Sequence, residues 1–197
     1  MTTTRKNTRI AAIVLTLAML LGTFCIAGTV TAGAATDRVS LYSSSVTFSK
    51  YGARSFEVFV QTKDNASNQK VTVHYCYYND QPWNDAQATY VTTLSDGSKI
   101  WKANFSSFSP KFAIKYEADG ETIWDNNNHN DYTASDVIGV APIAPERLGY
   151  QYDSSKYQIN AVLQNYAYCK NVFVRYTTDG WKNYQDVAMA YNKTNDI

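Results

Sequence analysis

The chain has 197 residues, enough for one large domain or for two of about 100 residues each. Its net charge is +1, and setting aside Arg5, Lys6 and Arg9 from the 18 basic residues leaves 15 against 17 acids. That balance excludes the basic footprint of a nucleic-acid binder or of a protein held on an anionic membrane, while 16 Tyr and 4 Trp against 9 Gly and 4 Pro suit strands and surfaces that meet a neutral ligand.

In chain order, residues 1–35 read as a secretory signal: basic positions, an apolar run from Ile10 to Val30, then the small residues Ala32-Gly33-Ala34 ahead of Asp37. Cleavage is expected after Ala34 or Ala35. Thr16, Gly22, Thr23 and Gly28 interrupt the run and disfavour an uncleaved membrane anchor. Cys25 follows Phe24, where a lipid-attachment site needs a small residue. The mature protein is therefore expected to be secreted, either released or held at the cell surface, with no membrane contact once the signal is gone.

From Val39 onward the pattern alternates with period two, as in Phe56-Glu57-Val58-Phe59-Val60, Val71-Thr72-Val73-His74-Tyr75 and Phe112-Ala113-Ile114-Lys115-Tyr116. Turn pairs separate these runs at Asp64-Asn65, Asn79-Asp80, Asp96-Gly97 and Asp119-Gly120. No stretch sustains a helical period, so the expected fold is an all-β antiparallel sandwich.

Two tryptophans stand in polar company. Trp83 lies in Asn79-Asp80-Gln81-Pro82-Trp83-Asn84-Asp85, which reads as a loop, and Trp124 precedes Asp125-Asn126-Asn127-Asn128 at the end of a strand. A lone Trp is often a core residue, but in such settings exposure and ligand contact are the expectation.

The chain also repeats itself. Val71, Val73, Tyr75 and Tyr90 recur as Val172, Val174, Tyr176 and Tyr191 at a constant offset of 101 residues, and Phe56, Val58 and Ala66 fall on Tyr157, Ile159 and Ala167. This predicts a complete domain over 36–135 and a second copy over 136–197, joined near Val140-Ala141-Pro142-Ile143-Ala144-Pro145, whose prolines favour an extended spacer. The second copy runs only six residues past Tyr191, so its later strands are absent and the sequence is expected to be a piece of a longer chain.

Several chemistries lack their residues. Cys76 and Cys169 are too few for a disulfide framework or a Cys-rich metal site. Asp125, Asn127 and Asp136 have the spacing of calcium ligands, but Asn130 stands where the loop needs Gly and no Glu closes it, so no metal is expected. His74 and His129 form no ligand pair and are expected to face solvent. Glu57, Glu117, Glu121 and Glu146 are scattered without an active-site motif, and no Ser-His-Asp arrangement or phosphate loop is present. The chain reads as non-enzymatic, with no cofactor.

The segments Lys70–Tyr75, Trp83-Asn84, Lys111–Glu117 and Gly120–Asn128 resemble carbohydrate-binding module family 21, which includes starch-binding domains of amylolytic enzymes and glycogen-targeting subunits of the type-one protein phosphatase. The resemblance covers about 37–133, and again 137–191 through Val172–Trp181. It implies an immunoglobulin-like β-sandwich that binds α-glucan (starch, glycogen or maltooligosaccharides), with Trp83 and Trp124 as stacking platforms and Asn126 as hydrogen-bonding partner. Asp125, Asn127 and Asn128 either assist or tie the turn. Two positions depart from the family pattern, Ala113 where some members carry an aromatic and Asp131 where others have Asn. A second family site implicates Tyr168, matched by Ser67 in the first copy, together with Tyr90, Tyr191 and, more weakly, Trp101; Trp181 is the expected counterpart of Trp83. The expected role is to target a larger protein or a fused amylolytic enzyme to polysaccharide. The alternative is an adhesion or scaffold sandwich whose aromatics meet a protein. The signal disfavours a cytosolic phosphatase partner.

Overall fold

A computed structural model describes residues 38–48, 54–78, 81–108, 111–150 and 157–192. The expected signal peptide and the Asn79-Asp80 turn lie outside the described residues. Contacts divide the chain into two compact units that meet between Asn165 and Tyr166.

The unit ending at Asn165 is an antiparallel sandwich. One sheet has the order β1-β2-β6-β5, formed by β1 (Val39–Phe48), β2 (Arg54–Thr62), β6 (Lys99–Ser107) and β5 (Thr89–Thr93). The other has the order β4-β3-β7-β8, formed by β4 (Gln81–Gln87), β3 (Lys70–Tyr78), β7 (Lys111–Ala118) and β8 (Glu121–Asp125), with the short β9 (Tyr132–Thr133) also on β7. This strand distribution is that of an immunoglobulin-like fold. Among the described residues no helix is long and apolar enough to cross a membrane.

The period-two runs form the core because alternate side chains point inward. Phe56, Val58 and Val60 from β2 meet Val71 and Val73 from β3 and Phe112, Ile114 and Tyr116 from β7, all buried in one cluster. Each such side chain contributes about 1.5–3 kcal/mol by leaving water. The Tyr116 hydroxyl reaches the edge of this core and donates to Asp64 Oδ1 at 2.5 Å. Burial works against the Asp64 carboxylate, but the Tyr116 hydroxyl, Arg38, the Ala66 N–H and Gln69 together hold its pKa below the ordinary value.

Beyond Thr133 the chain crosses to the first sheet and runs along β1. Val140 N–H donates to Leu41 O at 2.9 Å, while the Gly139 and Ala141 N–H groups each donate to Tyr42 O at 3.1 Å. Tyr42, Ile100 and Ala141 form a second small core under this strap. β10 (Ile143–Tyr150) then pairs with β11 (Tyr157–Leu163). The described residues of 136–150 and 157–165 thus group by contact with the first unit, so the compact boundary falls thirty residues after the 135/136 division read from the sequence. The backbone bonds to β1 are the cause.

The unit beginning at Tyr166 contains β12 (Phe173–Tyr176) paired with β13 (Gln185–Ala188). Its pairs are Phe173↔Ala188, Val174↔Val187, Arg175↔Asp186 and Tyr176↔Gln185. They are the β3–β4 pairs Thr72↔Gln87, Val73↔Ala86, His74↔Asp85 and Tyr75↔Asn84 displaced by 101 residues. The β10–β11 hairpin carries an irregularity between Pro145 and Arg147, opposite Ala161 and Asn160, and β1–β2 has one between Leu41 and Ser43, opposite Val60 and Phe59.

Candidate functional site

Four adjacent strands of the second sheet build an open depression of about 410 Å³ lined by His74, Trp83, Ala113, Trp124, Asn126 and Asp131. Register places the parts. His74 on β3 lies opposite Asp85 of β4 on one side and Ala113 of β7 on the other. Trp83 on the edge strand β4 pairs with Cys76 of β3, and Trp124 on the opposite edge strand β8 pairs with Lys115 of β7. The two indoles therefore approach the His74–Ala113 row diagonally from both margins of the sheet.

Trp83 is 37% and Trp124 44% exposed. Their setting corrects one expectation, because Trp83 stands on an edge strand rather than in a loop. Pro82 is compatible with that strand only because β4 is at the sheet margin, where a residue without an N–H leaves no interior ladder bond unmade. His74 corrects another. Its ring is not simply turned to water but stacks on Trp83 with centroids 4.9 Å apart and planes inclined by 13°, and meets Trp124 edge-on at 5.7 Å and 77°. Its Nδ1 bonds Asp85 Oδ1 at 2.6 Å. In the sequence His74 occupies an ordinary outward strand position, and only the pairing of β3 with β4 gives it a role.

The run after Trp124 divides in function. Asp125 is 1% exposed, facing the interior instead of the depression. The Tyr132 hydroxyl lies 2.9 and 2.8 Å from its two oxygens, and Leu41 N–H donates at 3.1 Å, so one carboxyl ties β8 and β9 to β1 across the sandwich. Burial pushes its pKa up, against the opposing effect of these donors. Asp125 is therefore a framework residue and not a sugar contact.

Asn127, Asn128, His129 and Asp131 have φ of 51°, 57°, 68° and 57°, the left-handed region where Asn and Asp are the least strained residues after Gly. Asn128 sits exposed on this turn and is not among the residues that line the depression. Asn126 lies at the foot of the turn. Its Oδ1 accepts the His129 N–H at 3.2 Å, which leaves the carboxamide NH2 as the polar group beside Trp124. Asp131 supplies a carboxylate acceptor on the same rim. Asp136 of the suspected calcium spacing accepts from Thr133 N–H and Oγ1 at 2.7 and 2.9 Å, and no group of three metal-ligating side chains occurs among the described residues.

The remaining aromatic candidates lie elsewhere. Tyr90 is on β5 of the opposite sheet, exposed, edge-on to Trp101 at 5.9 Å, with its hydroxyl 2.9 Å from Thr93 Oγ1. The structure thus separates Tyr90 from Trp83 and Trp124 by the thickness of the sandwich. Tyr168, Trp181 and Tyr191 belong to the second compact unit and are exposed there. Trp181 sits in the turn between β12 and β13 with φ 69°, its N–H donating to Thr177 Oγ1 at 3.1 Å. Continued by one residue beyond the Tyr176↔Gln185 pair, the 101-residue offset puts Tyr184, not Trp181, at the place of Trp83. Among the described residues neither Cys76 nor Cys169 is in a disulfide: Cys76 is buried, accepting the Lys111 N–H at 3.2 Å, and Cys169 is exposed.

Fold and site together define an immunoglobulin-like β-sandwich carrying an open, aromatic-walled depression on one sheet. Neither a protein-family model nor a curated protein matches the chain. Among solved structures it is similar to the starch binding domain of Rhizopus oryzae glucoamylase, solved in complex with beta-cyclodextrin and maltoheptaose, at 29% identity and TM-score 0.38 over 47% of this chain and 92% of that one. It is similar also to the carbohydrate binding module of the muscle glycogen-targeting subunit of Protein Phosphatase-1, at 24% identity and TM-score 0.38 over 49% of this chain and 74% of that one.

Proposed function

We propose that this chain is an exported, non-catalytic binder of α-glucan that holds its ligand in the depression between Trp83 and Trp124. The observation that carries the reading is the attitude of the two indoles. Their planes lie 13° and 77° from the same imidazole, so they are steeply inclined to each other. A pyranose packs its C–H face on an indole. The flat ribbon of a β-1,4-glucan cannot lie on both planes, whereas a chain that turns from one residue to the next, as an α-1,4-glucan does, can follow them. The Asn126 NH2 and the Asp131 carboxylate then offer a donor and an acceptor to the hydroxyl rim.

A glycosidase needs two carboxylates across the scissile bond. Asp131 is the single carboxylate among the described residues lining the depression, which supports binding over hydrolysis. Residues 1–35 act in this reading as the export signal, the unit holding β12 and β13 as part of a second module, and the whole as the element that targets a larger protein or a fused amylolytic enzyme to starch or glycogen.

Depletion from solution tests the proposal. Insoluble starch is expected to remove the mature protein from solution, with release by maltooligosaccharides, and cellulose is expected to leave it behind. No retention on starch or glycogen overturns the reading. Retention by a protein surface that maltooligosaccharides do not relieve would favour the adhesion alternative.

A further inference from the structure

The β3–β4 and β12–β13 hairpins share more than register. At the position of the His74–Asp85 pair, the second hairpin has Arg175 and Asp186, with Arg175 Nε and Nη2 donating to the two Asp186 oxygens at 2.8 and 2.9 Å. Two residues before each carboxylate stands an aromatic. In the first hairpin it is Trp83, stacked on His74; in the second it is Tyr184, whose ring centroid lies 3.9 Å from Arg175 Cζ. Each hairpin therefore holds a carboxylate that fixes a flat nitrogenous plane, and that plane backs one face of an aromatic ring and leaves the other face outward.

Tyr184 is 57% exposed, and the ring of Phe173, 53% exposed, has its centroid 5.9 Å from Arg175 Cζ. With Nε and Nη2 held by Asp186, the remaining Nη1 is a donor for a hydroxyl. An Arg held by Asp186 over the Tyr184 ring, with the Phe173 ring nearby, combines stacking surface with polar edge, the combination found around His74. We propose that Tyr184, backed by Arg175 and Asp186 and extended by Phe173, is a second α-glucan platform. It stands in the place of Trp83, a place that Trp181, three residues earlier on the turn, does not occupy. The proposal rests on the reading of the first depression as a glucan site.

The test uses the full mature chain and its Tyr184→Ala, Tyr184→Trp and Trp83→Ala variants, titrated with maltoheptaose and measured for retention on granular starch. The expected result is two maltoheptaose equivalents for the parent chain and one for either alanine variant. Starch retention should be at least about tenfold weaker in each alanine variant, because linked weak sites reinforce one another. Tyr184→Trp should restore both equivalents, which a hairpin merely damaged by substitution would not explain. Unchanged stoichiometry and retention in Tyr184→Ala, with binding lost in Trp83→Ala, overturns the second platform and leaves the first reading intact. Binding lost in Tyr184→Ala but unaltered in Trp83→Ala overturns the reading of the first depression and keeps this platform. No maltoheptaose binding by the parent chain overturns both.

Discussion

Neighbouring residues at the end of β8 have opposite duties, and their substitutions should separate them. Trp124→Ala removes an exposed ring, so glucan affinity is expected to fall by about 2 kcal/mol while unfolding stability stays within about 0.5 kcal/mol of the parent. Asp125→Ala should do the reverse. It strands the Leu41 N–H and the Tyr132 hydroxyl inside the sandwich, and urea unfolding should register a loss of about 3 kcal/mol. The raised pKa of Asp125 has a sign of its own. A carboxyl whose folded pKa lies above its unfolded value contributes stability below the unfolded pKa and loses it as pH rises through the folded one, so Asp125 opposes the ordinary acid sensitivity that Asp64 confers.

At the scale of elements, the strap along β1 depends on an atom that is missing. A Cβ on Gly139 would lie 2.0 Å from Leu41 O, a distance no relaxation of a side chain can relieve because the obstacle is backbone. Gly139→Ala is expected to destabilise the first unit by about 3 kcal/mol, and hydrogen exchange should show protection lost first at the Val140 and Ala141 amides. The turn between β12 and β13 is held by Asp179, which accepts from Asn183 N–H, Asn183 Nδ2 and Thr177 Oγ1, chiefly the first, so that its pKa is lowered to about 2. The stability this gives is present above the ordinary carboxylate pKa near 4 and is lost as pH falls through about 2. Exchange at the Asn183 amide, followed over that window, should track the loss.

Strands with alternating apolar residues, such as β2, β3 and β7, were legible because one face of each is buried and the other wet. β4 was not, because Gln81-Pro82-Trp83-Asn84-Asp85 is an edge strand with few inward apolar residues, and its composition is that of a loop. The tryptophans of the site were legible as aromatics in polar company. His74 and the inward turn of Asp125 were not, since both follow from which strand lies alongside, information that no local pattern carries.

For the whole molecule, near-neutral charge and an uncharged ligand predict that binding is insensitive to salt. Raising ionic strength from about 0.05 to 0.5 M shortens electrostatic reach severalfold, yet starch affinity should change by less than about twofold. The β12–β13 pairs equal the β3–β4 pairs displaced by 101 residues, with Arg175–Asp186 at the place of His74–Asp85. Exposed aromatics on an outermost strand raise a different matter, self-association. A sheet margin presents unpaired backbone groups on which a further strand can template, and an open tryptophan there would strengthen such a contact. Pro82 removes a donor from β4 next to Trp83, and exposed Asp85 puts a carboxylate two residues beyond it. The margin that carries Trp83 is thereby a poor template for another copy of the chain, so that the face proposed to meet polysaccharide is guarded against strand-on-strand self-association.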